Sequence, residues 1–139
     1  MTPEKVVEAA RQWIGTPWVH QGRSSAGVDC AGLCIKVAHQ LGESEFDVSD
    51  YGRYPNNDRM RELLREHCTE RFGDPLPGMI ALMSFAAEPR HMGIIVPYRY
   101  GGVALLHALV TAGAVTEHRL SPAWRVRVCA LFDYAGVVR

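Results

Sequence analysis

Charge of neither sign is in excess: 15 Lys and Arg residues balance 15 Asp and Glu residues over 139 positions. That balance gives no support to a nucleic-acid partner or an anionic membrane surface, since either favours a basic excess. No apolar run approaches the roughly 20 residues that span a bilayer, so membrane insertion is not expected. Met1-Thr2-Pro3-Glu4-Lys5 lacks the apolar stretch of a secretory signal, so export by that route is not expected either. There is no CxxC pair among Cys30, Cys34, Cys68 and Cys129, and their spacing matches no zinc module. No resident metal or cofactor is expected. The even count would permit two disulfides, but a chain with 47% apolar residues can bury a core without them. Reduced thiols are the expectation. No repeat and no low-complexity tract interrupts residues 1–139, which read as one domain.

What is present begins with helices. Thr2 can cap a helix with Pro3 in its first turn and Val6, Ala9, Ala10 and Trp13 on one face; Gly15 stops it. A Gly/Pro-containing loop over residues 15–29 leads to a second helix, from about Cys30 to Leu41, that ends at Gly42. Residues 43–57 are polar and turn-rich, with Tyr51 and Tyr54 inside a loop. A third helix is predicted over 58–72, capped by Asp58. Five β-like runs follow: Ile80–Phe85, Met92–Val96, Ala104–Val110, Ala114–Arg119 and Val126–Tyr134. Gly101-Gly102 and Ala112-Gly113 are hairpin signals. Helices first and strands later predict an α+β fold.

Cys30 falls where a loop meets a helix. First-turn amides carry unpaired N–H groups and a partial positive charge, which favour thiolate and lower a cysteine pKa. The same amides can stabilise an oxyanion. Free cysteines are also ordinary small core residues, and both readings stand on position alone. A nucleophile needs a base. His91 opens an apolar run, and His107 interrupts the apolar Leu105–Leu109. Each could equally be a structural histidine with a hydrogen-bond partner, and each could be the other's partner. His20 lies in the loop leading to Cys30. His39 and His67 are expected to be solvated on helices, and His118, between Glu117 and Arg119, to be exposed.

Three ordered motifs narrow the choice. Gly15-Thr16-Pro17-Trp18-Val19 resembles the G-T-P-Y-x segment of the NlpC/P60 cysteine peptidases. Asp29-Cys30-Ala31-Gly32-Leu33 resembles their D-C-S-G-L. Pro77-Gly78, then His91-Met92-Gly93-Ile94, resembles P-G-D and H-V-G-I, and His107-Ala108 resembles the H-A of the next strand. Together these span roughly residues 9–110. Thr16-Pro17-Trp18 with His20-Gln21, and Pro122-Ala123-Trp124-Arg125 before the last strand, also resemble the phage and gene-transfer-agent branch.

The resemblance implies a papain-like fold with N-terminal helices packed on a C-terminal antiparallel sheet. It implies cleavage of peptidoglycan stem peptides at γ-D-glutamyl–diamino acid bonds through a thioester. Cys30 would be the nucleophile, His91 the base and acid, and His107 the residue orienting His91. Trp18, Asp29 and His20 would lie at the substrate and oxyanion side. The implied partners are stem peptide and phage tail-tip or hub proteins; the implied location is the virion tail tip after synthesis in the host cytoplasm. The alternative is a catalytically silent tail-tip or hub subunit that keeps the fold. The chain departs from the family pattern at Trp18 (for Tyr), Ala31 (for Ser) and Met79 (for Asp).

Overall fold

Helix α1 spans Pro3–Arg11 and α2 spans Cys30–Gln40. The computed structural model describes residues 1–52, 58–85 and 88–139. Tyr54 lies outside the described residues. Thr2 caps α1 by accepting from the Lys5 amide, as expected from sequence. The loop between α1 and α2 is more ordered than expected: Arg23–Ser24 (β1) and Gly27–Val28 (β2) pair as a short antiparallel hairpin.

The third helix is shorter than predicted. It spans only Arg59–His67 (α3), and Asp58 makes no side-chain cap bond. Cys68 adopts an extended conformation, and Cys68–Arg71 form strand β3. Pairing supplies the reason: β3 lies antiparallel to Val128–Tyr134 (β8), with Cys68 opposite Tyr134 and Arg71 opposite Leu131. Arg71 also reaches the buried Asp133 at 2.9 Å. A ladder gained along a whole edge overrides a weak helical continuation.

The remaining strands are Ile80–Phe85 (β4), Glu88–Pro97 (β5), Val103–Leu109 (β6) and Ala114–Arg119 (β7). A short helix, Pro122–Arg125 (α4), precedes β8. All pairings in the six-stranded sheet are antiparallel, in the order β3-β8-β4-β5-β6-β7. The α+β expectation, helices first and an antiparallel sheet after, agrees with this architecture.

The period of two along the strands separates two packed faces. Ile80, Leu82, Ile94, Val96, Leu106 and Phe132 pack with residues of α1, α2 and α3. Ala81, Met83, Ile95, Leu105 and Leu131 pack among themselves with Phe85 and Trp124. His91 and His107 have the parity of this second face.

Gly93 allows β5 and β6 to meet there. A Cβ at this position would lie 2.8 Å from His107 Cβ and 3.1 Å from the Leu106 carbonyl oxygen. Neither atom is a flexible side-chain tip. Gly93→Ala is therefore expected to push the strands apart, costing about 1–3 kcal/mol as overpacking does. Urea denaturation of the variant checks this; an unchanged midpoint would show that the sheet yields without cost.

Candidate active site

Cys30 is the first residue of α2, and Asp29 is its cap. The Asp29 side chain is almost fully buried, and both its oxygens are engaged. Oδ1 accepts from the Gly32 amide at 2.7 Å and from Arg23 Nη1 at 3.2 Å. Oδ2 accepts from the Gln21 amide and the Tyr51 hydroxyl, both at 2.8 Å. Arg23 also donates to Asp47, to the carbonyls of Gly22 and Val48, and to the Tyr51 hydroxyl. Gln21 donates to the carbonyls of Ser49 and Tyr51. Asp29 therefore ties the start of α2 to the loop before it and to the segment around Tyr51. With these contacts it has the geometry of a clamp.

A cavity of about 340 Å³ opens beside Cys30. Trp18, His20, Phe85, Arg90, His91 and Thr111 are among the residues that line it, with Cys30 and Asp29. Trp18 and His20 thus stand at the cavity. Their rings stack at 6.5 Å, and His20 meets the edge of Tyr51 at 5.8 Å. His20 Nδ1 is 4.0 Å from Asp29 Oδ2. The cavity draws on both faces of the sheet, since Met60 and Ala108 come from the helix-covered face and Phe85 and His91 from the other.

The thiol departs from expectation. Burial pushes Cys30 up to about 12, and the neighbouring Asp29 carboxylate acts in the same direction. The backbone amides of Met92, Ala31 and Cys30 do favour the thiolate, but they are outweighed. The resting group is a thiol. Cys34, one turn along, is buried in the core.

His91 and His107 are brought together: His91 Nε2 lies 2.7 Å from His107 Nδ1. His91 does not open its strand, since β5 begins at Glu88. Burial pushes the His91 imidazole down to about 4. His107, fully enclosed, is held well below the usual histidine range by burial and by the imidazoles of His91 and His118. Among the described residues no hydrogen bond joins Cys30 directly to His91; the two share the cavity wall. Catalytic contacts of this kind often tighten only when substrate binds.

The sequence reading missed one imidazole. His118 is not a free surface group: its Nε2 is 2.8 Å from His107 Nε2, and its Nδ1 is 2.9 Å from the Arg119 carbonyl oxygen. The signal was available in the turn at Ala112-Gly113. The register it sets places His118 opposite Leu105, two residues from His107 on the same face. Trp124 of α4 packs against all three rings, with centroids 5.0 Å from His107, 5.3 Å from His118 and 6.5 Å from His91. His39 and His67 are also more engaged than expected. His39 Nε2 contacts the Phe46 carbonyl at 2.7 Å, and His67 stacks on the Phe46 ring at 3.8 Å.

No protein-family model and no curated protein sequence matches the chain. Solved structures do match. The NlpC/P60 domain of the peptidoglycan hydrolase SagA aligns with a TM-score of 0.66 at 19% identity, covering 96% of this chain and 99% of that one. An NlpC/P60 family protein from Bacillus cereus aligns with a TM-score of 0.70 at 14% identity, over 96% of this chain but only 40% of the other. An N-acetylmuramoyl-L-alanine amidase from Bacteroides uniformis aligns with a TM-score of 0.63 at 12% identity, covering 96% and 98%. At identities this low the likeness is one of architecture, and the architecture of this chain is the NlpC/P60 fold.

Proposed function

We propose that the protein is a cysteine hydrolase of peptidoglycan stem peptides, with Cys30 as nucleophile, His91 as base and acid, and His107 as the residue that orients His91. The observation that carries this reading is that His91 and Cys30 line one cavity, with His91 in 2.7 Å contact with the buried His107 behind it. The neighbours that share the fold include a peptidoglycan hydrolase and a muramoyl-alanine amidase, which supports an amide bond of the cell wall as the target.

A resting thiol and a neutral imidazole define the first step. His91 takes the Sγ proton as the sulfur attacks the amide carbonyl, so no thiolate need persist in the buried site. The Cys30 and Ala31 amides at the start of α2 face the sulfur and can donate to the oxyanion. His91 then gives its proton to the leaving amine, and a water that it activates releases the acyl group from sulfur. A γ-D-glutamyl–diamino acid bond is the proposed target, and the phage tail tip the proposed location; both rest on the motif resemblance.

A silent scaffold is the second reading. On its side stand the thiol held up to about 12 and the missing direct Cys30–His91 bond. Digestion of purified cell wall, with products read by mass spectrometry, separates the two. The wild type is expected to release cleaved stem peptides and Cys30→Ala to release none. Equal release by both would remove Cys30 from the chemistry, and release by neither would favour the scaffold.

A further inference from the structure

The three imidazoles stand on three neighbouring strands, His91 on β5, His107 on β6 and His118 on β7, and form one continuous chain of contacts. The chain ends on a group of fixed character. The Arg119 carbonyl oxygen can only accept, so the His118 nitrogen beside it, Nδ1, must carry a hydrogen.

We infer that His118 is a positioning residue that fixes the proton polarity of the whole chain and leaves His91 Nδ1 bare to receive a proton. Three neutral rings carry three N–H groups, and the chain contains three hydrogen bonds. With Nδ1–H of His118 committed to the carbonyl, its Nε2 is an acceptor. His107 must then donate from Nε2, which leaves its Nδ1 as an acceptor. His91 must donate from Nε2 in turn, and its Nδ1 keeps a lone pair. No other neutral arrangement satisfies all three bonds. Trp124 packs against all three rings and holds them in this row.

Without His118, the His91–His107 pair has two arrangements. One is the arrangement above. In the other His107 donates from Nδ1 to His91 Nε2, and the His91 hydrogen moves to Nδ1. That form cannot accept a thiol proton from the same nitrogen. The bearing of His118 on catalysis rests on the hydrolase reading; its effect on the His91 tautomer does not.

The test uses the full chain with 15N-labelled histidine. Ring nitrogen shifts and couplings identify which nitrogen of His91 carries hydrogen. The wild type is expected to show Nε2–H alone. His118→Phe removes the acceptor and is expected to give His91 a mixed Nδ1–H and Nε2–H population. His118→Glu supplies an acceptor-only side chain and is expected to restore Nε2–H alone, which a purely steric role would not do. On cell-wall substrate, His118→Phe is expected to lower kcat about 10- to 100-fold, short of the roughly 10,000-fold loss seen when a wrong tautomer is enforced outright. KM should be unchanged, since His118 does not line the cavity. A His91 tautomer that is the same in the wild type and in His118→Phe would overturn the inference. The spectra need no substrate, so a wild type that cleaves nothing would strike the hydrolase reading alone.

Discussion

His91→Phe is expected to lower kcat/KM on stem peptide by about 100- to 10,000-fold, the range that a positioned general acid–base group contributes. The substituted ring removes both the acceptor for the thiol proton and the donor for the leaving amine. The wild type should also carry a displaced acid limb. His91 is held down at about 4 by burial, so its neutral form persists well below the usual histidine range. The fall of kcat/KM with acid is therefore expected below pH 6.5. Stability follows the same group. An unfolded chain protonates this histidine near pH 6.5, whereas the folded chain resists until about 4. Within that window the unfolded state binds more protons, so folding stability drops as the pH falls. Urea midpoints at pH 7 and pH 4.5 check the sign: the wild type should lose more than His91→Phe over that interval. A variant with full activity would remove His91 from the reaction.

Local signals in the sequence located much of the fold. The Thr2 cap and the strands Ile80–Phe85 and Ala114–Arg119 stand where periodicity and turn residues put them, whereas α1 ends at Arg11 with Gln12 as its cap, short of the expected stop at Gly15. The misses occur where a distant partner decides the outcome. Residues 68–71 continue a helical pattern only in isolation, and β8 draws them into the sheet. The loop before Cys30 shows no periodicity, yet Gly27–Val28 pairs with Arg23–Ser24. Pairing across sequence is invisible to a window that reads neighbours.

The site divides along the same line. Cys30 at a helix start was legible from the loop–helix junction, and the His91–His107 pairing from two imidazoles in apolar runs. The thiol's state was not. Helix-start amides argue for thiolate, but burial and the neighbouring Asp29 carboxylate outweigh them, and burial depends on packing that a local window does not show. His118 was misread for a related reason. Its charged neighbours, Glu117 and Arg119, suggest a solvated strand, whereas alternation turns it to the opposite face from both. His91, Gly93 and His107 show how the pieces interlock. The glycine gives up a side chain so that β6 can bring His107 close, and the contact then steps diagonally to His91. The same diagonal step on β7 reaches His118.

Asp29→Ala is expected to destabilise the fold by about 3–5 kcal/mol, the cost of removing one partner from a buried charged pair. Three losses coincide. The cap of α2 loses its acceptor for the Gly32 amide. The Gln21 amide and the Tyr51 hydroxyl lose their shared acceptor. Arg23, whose side chain is only 17% exposed, keeps Asp47 but loses its buried carboxylate. Gly32 shows how tightly the clamp is built, since a Cβ there would lie 2.7 Å from Arg23 Nη1 and 3.0 Å from Asp29 Oδ1. Asp29→Asn is expected to cost less, because an amide oxygen can still cap the helix while the amide nitrogen meets the donors on the other side poorly. Urea denaturation of the two variants orders them. The order also bears on activity: if Asp29 serves by holding, kcat should fall in step with stability across the two variants. A folded Asp29→Asn that binds substrate normally would be the signature of a clamp. A folded Asp29→Asn with a sharply raised KM would instead mean that this carboxylate touches the peptide.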